Sequence, residues 1–149
     1  MKKIEFRGKS TMTLDELESK HFTEDMHSNG WFTGNLVWQG NRPWIVGDIV
    51  EADSEYVIHE FWVSVHSKSV GQYTGLKDKN NKKIYSNDII HMAHPFKNGE
   101  YKDVIVFENG AFKAGNFWMP HFDNPSDFTE GIEYVEVIGN TFENSDLLI

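Results

Sequence analysis

The chain has 149 residues, enough for one domain or two very small ones, and its 39% hydrophobic and 14% aromatic content is ample for a packed core. It carries 14 basic and 23 acidic side chains, a net charge of −9, and no cysteine. These values exclude a disulfide framework and a thiolate metal site. They also argue against a general grip on nucleic acid, which needs a basic stripe.

The predicted elements are mostly strands, as five Trp, five Tyr and eleven Phe suggest. Met1-Lys2-Lys3 is followed by no apolar run, so no secretory signal is expected. No stretch approaches the roughly 20 apolar residues of a membrane span. Ile4-Glu5-Phe6-Arg7 alternates and reads as a short strand. Thr13 and Glu16 form a capping-box pattern that predicts a helix from about Leu14 to His21. Glu24 to Asn29 reads as loop. Gly30 to Gln39 and Pro43 to Glu51 predict two strands around a Gly40-Asn41 turn, and Glu55 to Val65 is a further β-rich run.

Gly71 and Gly75 bracket a predicted short turn, and Lys77 to Lys83 holds four lysines. That lysine stretch reads as a solvated hairpin tip, wholly at the surface, turning at Asn80-Asn81. Asn87-Asp88 predicts a second turn, and Ile89 to Met92 a strand. His94-Pro95 and Asn98-Gly99 read as loop. Asn109-Gly110, between the apolar runs Val104–Phe107 and Ala111–Phe112, is a strong type I′ hairpin signal. Phe117 to Met119 continues the sheet, Pro120 to Gly131 is loop, and Tyr134 to Ile138 is the last strand before a closing turn at Gly139 to Phe142. One internal echo stands out: Ile45-Val46-Gly47-Asp48-Ile49-Val50 and Ile84-Tyr85-Ser86-Asn87-Asp88-Ile89-Ile90 both set an Asp before two β-branched residues.

Val70-Gly71-Gln72-Tyr73-Thr74-Gly75-Leu76-Lys77-Asp78-Lys79-Asn80, with Lys83-Ile84-Tyr85 and Asp88-Ile89-Ile90, resembles the central signature of the YopX family. Val137-Ile138-Gly139-Asn140-Thr141-Phe142-Glu143-Asn144, with Leu147-Leu148, resembles its second signature. A weaker match is Ile4 to Gly8 with Gly30 to Leu36. The family usually has Gly where Asn81 stands, Glu-Gly at Ser86-Asn87, and Pro at Ser145. Its usual pattern makes Lys9 to Asn29 look like an insertion. The resemblance implies a small-barrel architecture and a phage or prophage protein of Gram-positive bacteria, and it implies no particular chemistry.

The expected fold is therefore mainly β, built of small β-barrel modules. Residues 1–69 form an N-terminal β-module with a helical insertion at 9–29 that decorates it. Residues 70–149 form a C-terminal SH3-like barrel.

Chemistry is sparse. His91-Met92-Ala93-His94 could be imagined as a metal site, but residues three apart on a strand face opposite ways. His121-Phe122-Asp123 has no Ser or Cys nucleophile tied to it. A metal-dependent hydrolase using His91, His94 or His121 is the weakest alternative. No GxGxxG or P-loop spacing occurs. Residues 100–149 hold two basic and ten acidic side chains, which raises DNA mimicry, the inhibition of a host DNA-binding protein, as a second alternative. A solvated acidic surface accounts for the same charge. Trp31, Trp38 and Trp44 crowd the N-terminal half and are the candidate protein-contact residues, against the plainer reading that they fill a core. The expected protein is non-enzymatic, without catalytic residue, cofactor or metal. It is expected in the cytoplasm of the bacterial host, acting through homo-oligomerisation and protein contact.

Overall fold

β-branched and aromatic residues in alternation become strands along most of the chain. The computed structural model describes residues 4–93, 100–114, 117–118 and 133–148, with Phe117 and Trp118 described by their backbone alone. His94-Pro95, Asn98-Gly99, Met119 and the predicted loop from Pro120 to Gly131 lie outside them. The protein is mainly β and divides into two units, Met1–Gln72 and Tyr73–Ile149.

In the first unit, β1 (Phe6–Lys9), β2 (Trp31–Gln39), β3 (Arg42–Val46) and β6 (Trp62–Ser64) form an antiparallel sheet in the order β6-β3-β2-β1. The first residues of β7 (Gly71–Lys77) add to β1, with Phe6 opposite Gln72. The predicted run Pro43 to Glu51 breaks at Gly47-Asp48, so β4 (Ile49–Ala52) leaves the sheet and pairs with β5 (Val57–His59) as a separate two-stranded ribbon. One sheet face buries Phe32, Ile45, Val63 and Val65.

The helix α1 (Leu14–Ser19) forms where the capping box predicts it, with the Glu16 N–H donating to Thr13 Oγ1 at 3.1 Å. It does more than decorate. Leu17 is fully buried in the same core, and Met12, Phe22 and Met26 pack on it. A short open sheet cannot cover its own apolar face, so the segment preceding β2 supplies the cover.

In the second unit, the remainder of β7 pairs with β8 (Lys83–Tyr85). Gly71 to Gly75, predicted as a turn, is strand instead. The turn chemistry of Gly75 (φ 87) is used where the β7–β8 register shifts, so it makes a bulge within the pairing. β9 (Asp88–Met92) is central to a five-stranded sheet, β12-β11-β10-β9-β13, built with β10 (Tyr101–Glu108), β11 (Ala111–Ala114), β12 (Phe117–Trp118) and β13 (Val135–Asn140). Ile90 and Met92 pack with Leu76, Ile84, Ile105 and Val135. The β10–β11 hairpin turns at Asn109 (φ 52) and Gly110 (φ 79), both positive as a type I′ turn requires.

The expected closed barrel is not formed: the sheets are open. β13 is an edge strand of the five-stranded sheet, and a turn meets it where a barrel would need another strand. The Val135 carbonyl accepts the Lys79 N–H at 2.9 Å, and the Val137 N–H donates to Asp78 Oδ2 at 2.9 Å. Asp78 thus corrects the reading of Lys77 to Lys83 as wholly surface. It is 0% exposed, and its other oxygen accepts the N–H groups of Asn80 and Lys82, each at 2.9 Å. A buried carboxylate is tolerated there because backbone donors satisfy it.

Asn81 (φ 65) and Asn87 (φ 72) hold the left-handed conformation where the resembled family has Gly. Asn is the side-chain-bearing residue that enters this region at least cost. Asn81→Gly should therefore change stability by less than about 1 kcal/mol, whereas Asn81→Val should cost about 1–2 kcal/mol. Urea denaturation of the two variants checks the ordering.

Candidate functional site

The pairing of β2, β3 and β6 decides which tryptophans meet. Leu36 lies opposite Ile45, and Ile45 opposite Val63, all on the core face. Side chains alternate along a strand, so Val37, opposite Trp44, takes the other face. Trp62, opposite Val46, joins them there. With Trp38 and Gln39 they line a surface depression of about 520 Å³. Trp38 and Trp62 are each 51% exposed, and Trp44 is half-buried.

Trp62 is held by a neighbour. The His59 ring stands edge-on to it, centroids 5.3 Å apart, and His59 Nδ1–H donates to the Gly47 carbonyl at 2.8 Å. Of the three tryptophans predicted as contacts, Trp38 and Trp44 line the depression and Trp31 does not. Trp31 sits at the start of β2, half-buried, with the Arg7 guanidinium 5.1 Å and the Lys9 ammonium 5.9 Å from its ring centroid. Seven residues of strand separate it from Trp38, roughly 23 Å. Trp62 was not among the predicted contacts. Its only sequence signal is the alternation Trp62-Val63-Ser64-Val65, which marks Val63 and Val65 as inward and leaves Trp62 outward.

Next to Trp62 stands the β4–β5 ribbon, which is apolar yet exposed on both faces: Ile49, Val50, Tyr56, Val57 and Ile58 all lie open. It owes its shape to its turn. Asp53 Oδ1 accepts the N–H groups of Glu55 (2.7 Å) and Tyr56 (3.0 Å), and Tyr56 Oη donates to Glu51 Oε1 at 2.7 Å. That bond to the carboxylate, with a smaller contribution from desolvation, raises the Tyr56 phenol above its usual 10.0. A raised folded pKa means that the tie is fully present below the unfolded value and is lost as pH rises through the folded one. Ultraviolet titration of the protein beside its Glu51→Gln variant should show the Tyr56 phenol ionising at lower pH once the carboxylate is gone.

The histidine alternatives gain little. His91 is half-buried, and its Nε2 lies 3.2 Å from Glu100 Oε2. His94, His121 and Asp123 lie outside the described residues. Among the described residues no three His, Cys, Asp or Glu side chains converge on a point that could hold a metal ion. No helix among them is long and apolar enough to cross a membrane.

The family model described as YopX protein matches residues 36–149. The chain belongs to the YopX family. No curated protein sequence matches it. The YopX match begins within β2 and includes Trp38, Trp44, Trp62 and the ribbon. It leaves α1, Trp31 and the weaker likeness at Ile4 to Gly8 outside. In the second unit, the YopX signature positions are structural: Asp78 and Asp88 are buried carboxylates on backbone N–H groups, with the Tyr85 N–H donating to Asp88 Oδ2 at 2.7 Å.

Proposed function

We propose that this YopX-family protein works by contact rather than by bond-making. It is an accessory protein of a phage or prophage in the bacterial cytoplasm, and it self-associates and binds protein through the aromatic face of its first unit. The observation that carries this reading is the depression lined by Trp38, Trp44 and Trp62, with two of the three rings half in water. Tryptophan supplies large apolar area with few rotamers to freeze, so exposed clusters of it are typical anchors at protein interfaces. An exposed aromatic surface continuous with an apolar ribbon is also costly to leave in water.

Light scattering over a wide concentration range tests the reading. The chain should be larger than a monomer, and Trp38→Ala with Trp62→Ala together should weaken association at least tenfold while leaving the circular dichroism spectrum unchanged. A strict monomer at high concentration would sink it.

A further inference from the structure

A two-stranded ribbon standing alone in water is marginally stable. This one pairs only within itself among the described residues, and it carries β-branched residues outward on both faces. Exposure runs from 43% at Ile58 to 63% at Val50. Its two outer edges differ in charge. The β4 edge carries Glu51, while Val57-Ile58-His59 on β5 carries no carboxylate.

We infer that the β5 edge is the seat of a second copy of this chain, joined antiparallel about a twofold axis at Ile58, so that two ribbons become one four-stranded sheet. The inference rests on the self-association reading above and adds its geometry. The charge pattern of the strand favours a copy of the same chain over another partner.

A three-residue strand centred on Ile58 is self-complementary. A twofold axis sets Ile58 against Ile58 of the partner subunit and Val57 against the partner's His59, which brings no like carboxylates together. The β4 edge is disfavoured for the same pairing, because it would bring two Glu51 side chains near one another in a protein already at −9.

Ile49, Val50, Tyr56, Val57, Ile58 and Trp62 are all exposed, so the surface beside the seam is apolar. Trp62 links the ribbon to Trp38 and Trp44 across the same depression, so the apolar surface is continuous. Edge-to-edge pairing also satisfies the outward backbone groups of β5, which a purely hydrophobic partner would leave unpaired.

The absence of cysteine makes the geometry directly testable in the full chain. Single cysteines are introduced as Ile58→Cys and, separately, Val50→Cys, and each protein is treated with a mild thiol oxidant. Directly opposed residues on antiparallel strands have Cα atoms about 4.5–5.5 Å apart, within disulfide reach. Residues on the two outer strands are separated by about 14 Å, beyond it. The Ile58→Cys protein should therefore become mostly covalent dimer, and the Val50→Cys protein should not.

Ile58→Lys places like charges opposite each other and should raise the dimer dissociation constant at least tenfold, with unchanged circular dichroism. Failure of Ile58→Cys to cross-link in a chain that light scattering shows to be oligomeric overturns the β5 pairing and leaves the contact reading standing. Cross-linking of both cysteines to the same extent overturns it as well, since that marks random collision. A monomeric parent chain ends both.

Discussion

Asp78→Ala should destabilise residues 73–149 by about 3–5 kcal/mol, because three backbone N–H groups lose a charged acceptor worth about 1.5–3 kcal/mol per bond, and water replaces it in part at the exposed Asn80 and Lys82. The three donors are those of Asn80, Lys82 and Val137. The first two shape the lysine turn, and the third ties that turn to β13, 59 residues away in sequence. Removing the carboxylate loosens the turn and opens the edge of β13 together. Asp78→Asn separates these roles. Its amide oxygen can keep the two turn bonds, but its NH2 then faces the Val137 N–H, donor against donor, at an expected cost of about 1–3 kcal/mol. Urea denaturation measures both, and amide exchange at Val137 and Lys82 locates the loss. A cost below about 1 kcal/mol for the alanine variant would show that solvent already does the work assigned to the carboxylate.

Phe32→Ala is the corresponding break in the first unit, at an expected 3–5 kcal/mol, about the range for emptying a fully buried phenylalanine site. Phe32 is 0% exposed, with the Phe22 ring edge-on at 5.6 Å and the Phe61 ring tilted at 5.1 Å. These two neighbours come from opposite sides of β2 in the sequence, so the cavity cannot close by the shift of one segment. Four of the five tryptophans, Trp31, Trp38, Trp44 and Trp62, belong to this unit, so tryptophan fluorescence follows mainly its unfolding. Trp38→Ala makes the contrast. Half of that ring is already in water, and its loss should cost much less stability than Phe32 while weakening association.

The two variants also separate what was readable in the residues from what was not. Hairpins and caps were readable. Asn109-Gly110 turns as its type demands, Thr13 caps α1, and the family signatures fall on real turns and strands. These depend on residues within four positions of one another, where local sterics and local hydrogen bonds decide the backbone. Half of Asp78 was readable in the same way, since an aspartate that accepts from the N–H two residues on is ordinary turn chemistry. Its bond to Val137 was not, nor was the core role of Leu17. Both depend on a segment arriving from far along the chain. The tryptophans show the same division. Closeness in sequence grouped Trp31 with Trp38 and Trp44, whereas strand pairing brought Trp62 to them and left Trp31 at the far end of β2.

The internal echo makes the point most sharply. Asp48-Ile49-Val50 and Asp88-Ile89-Ile90 share a pattern, and each leads into a strand. Ile49 and Val50 are 58% and 63% exposed, while Ile89 and Ile90 are both 0% exposed. Order and spacing of residues were enough to settle that both segments are extended, because β-branched side chains restrict the backbone wherever they stand. Burial came from elsewhere. β10 and β13 flank β9 on both edges, and among the described residues β4 has β5 alone. The hydrophobic effect acts on whatever surface the assembled fold removes from water, and a short stretch of chain carries no record of which distant strands will come to lie beside it.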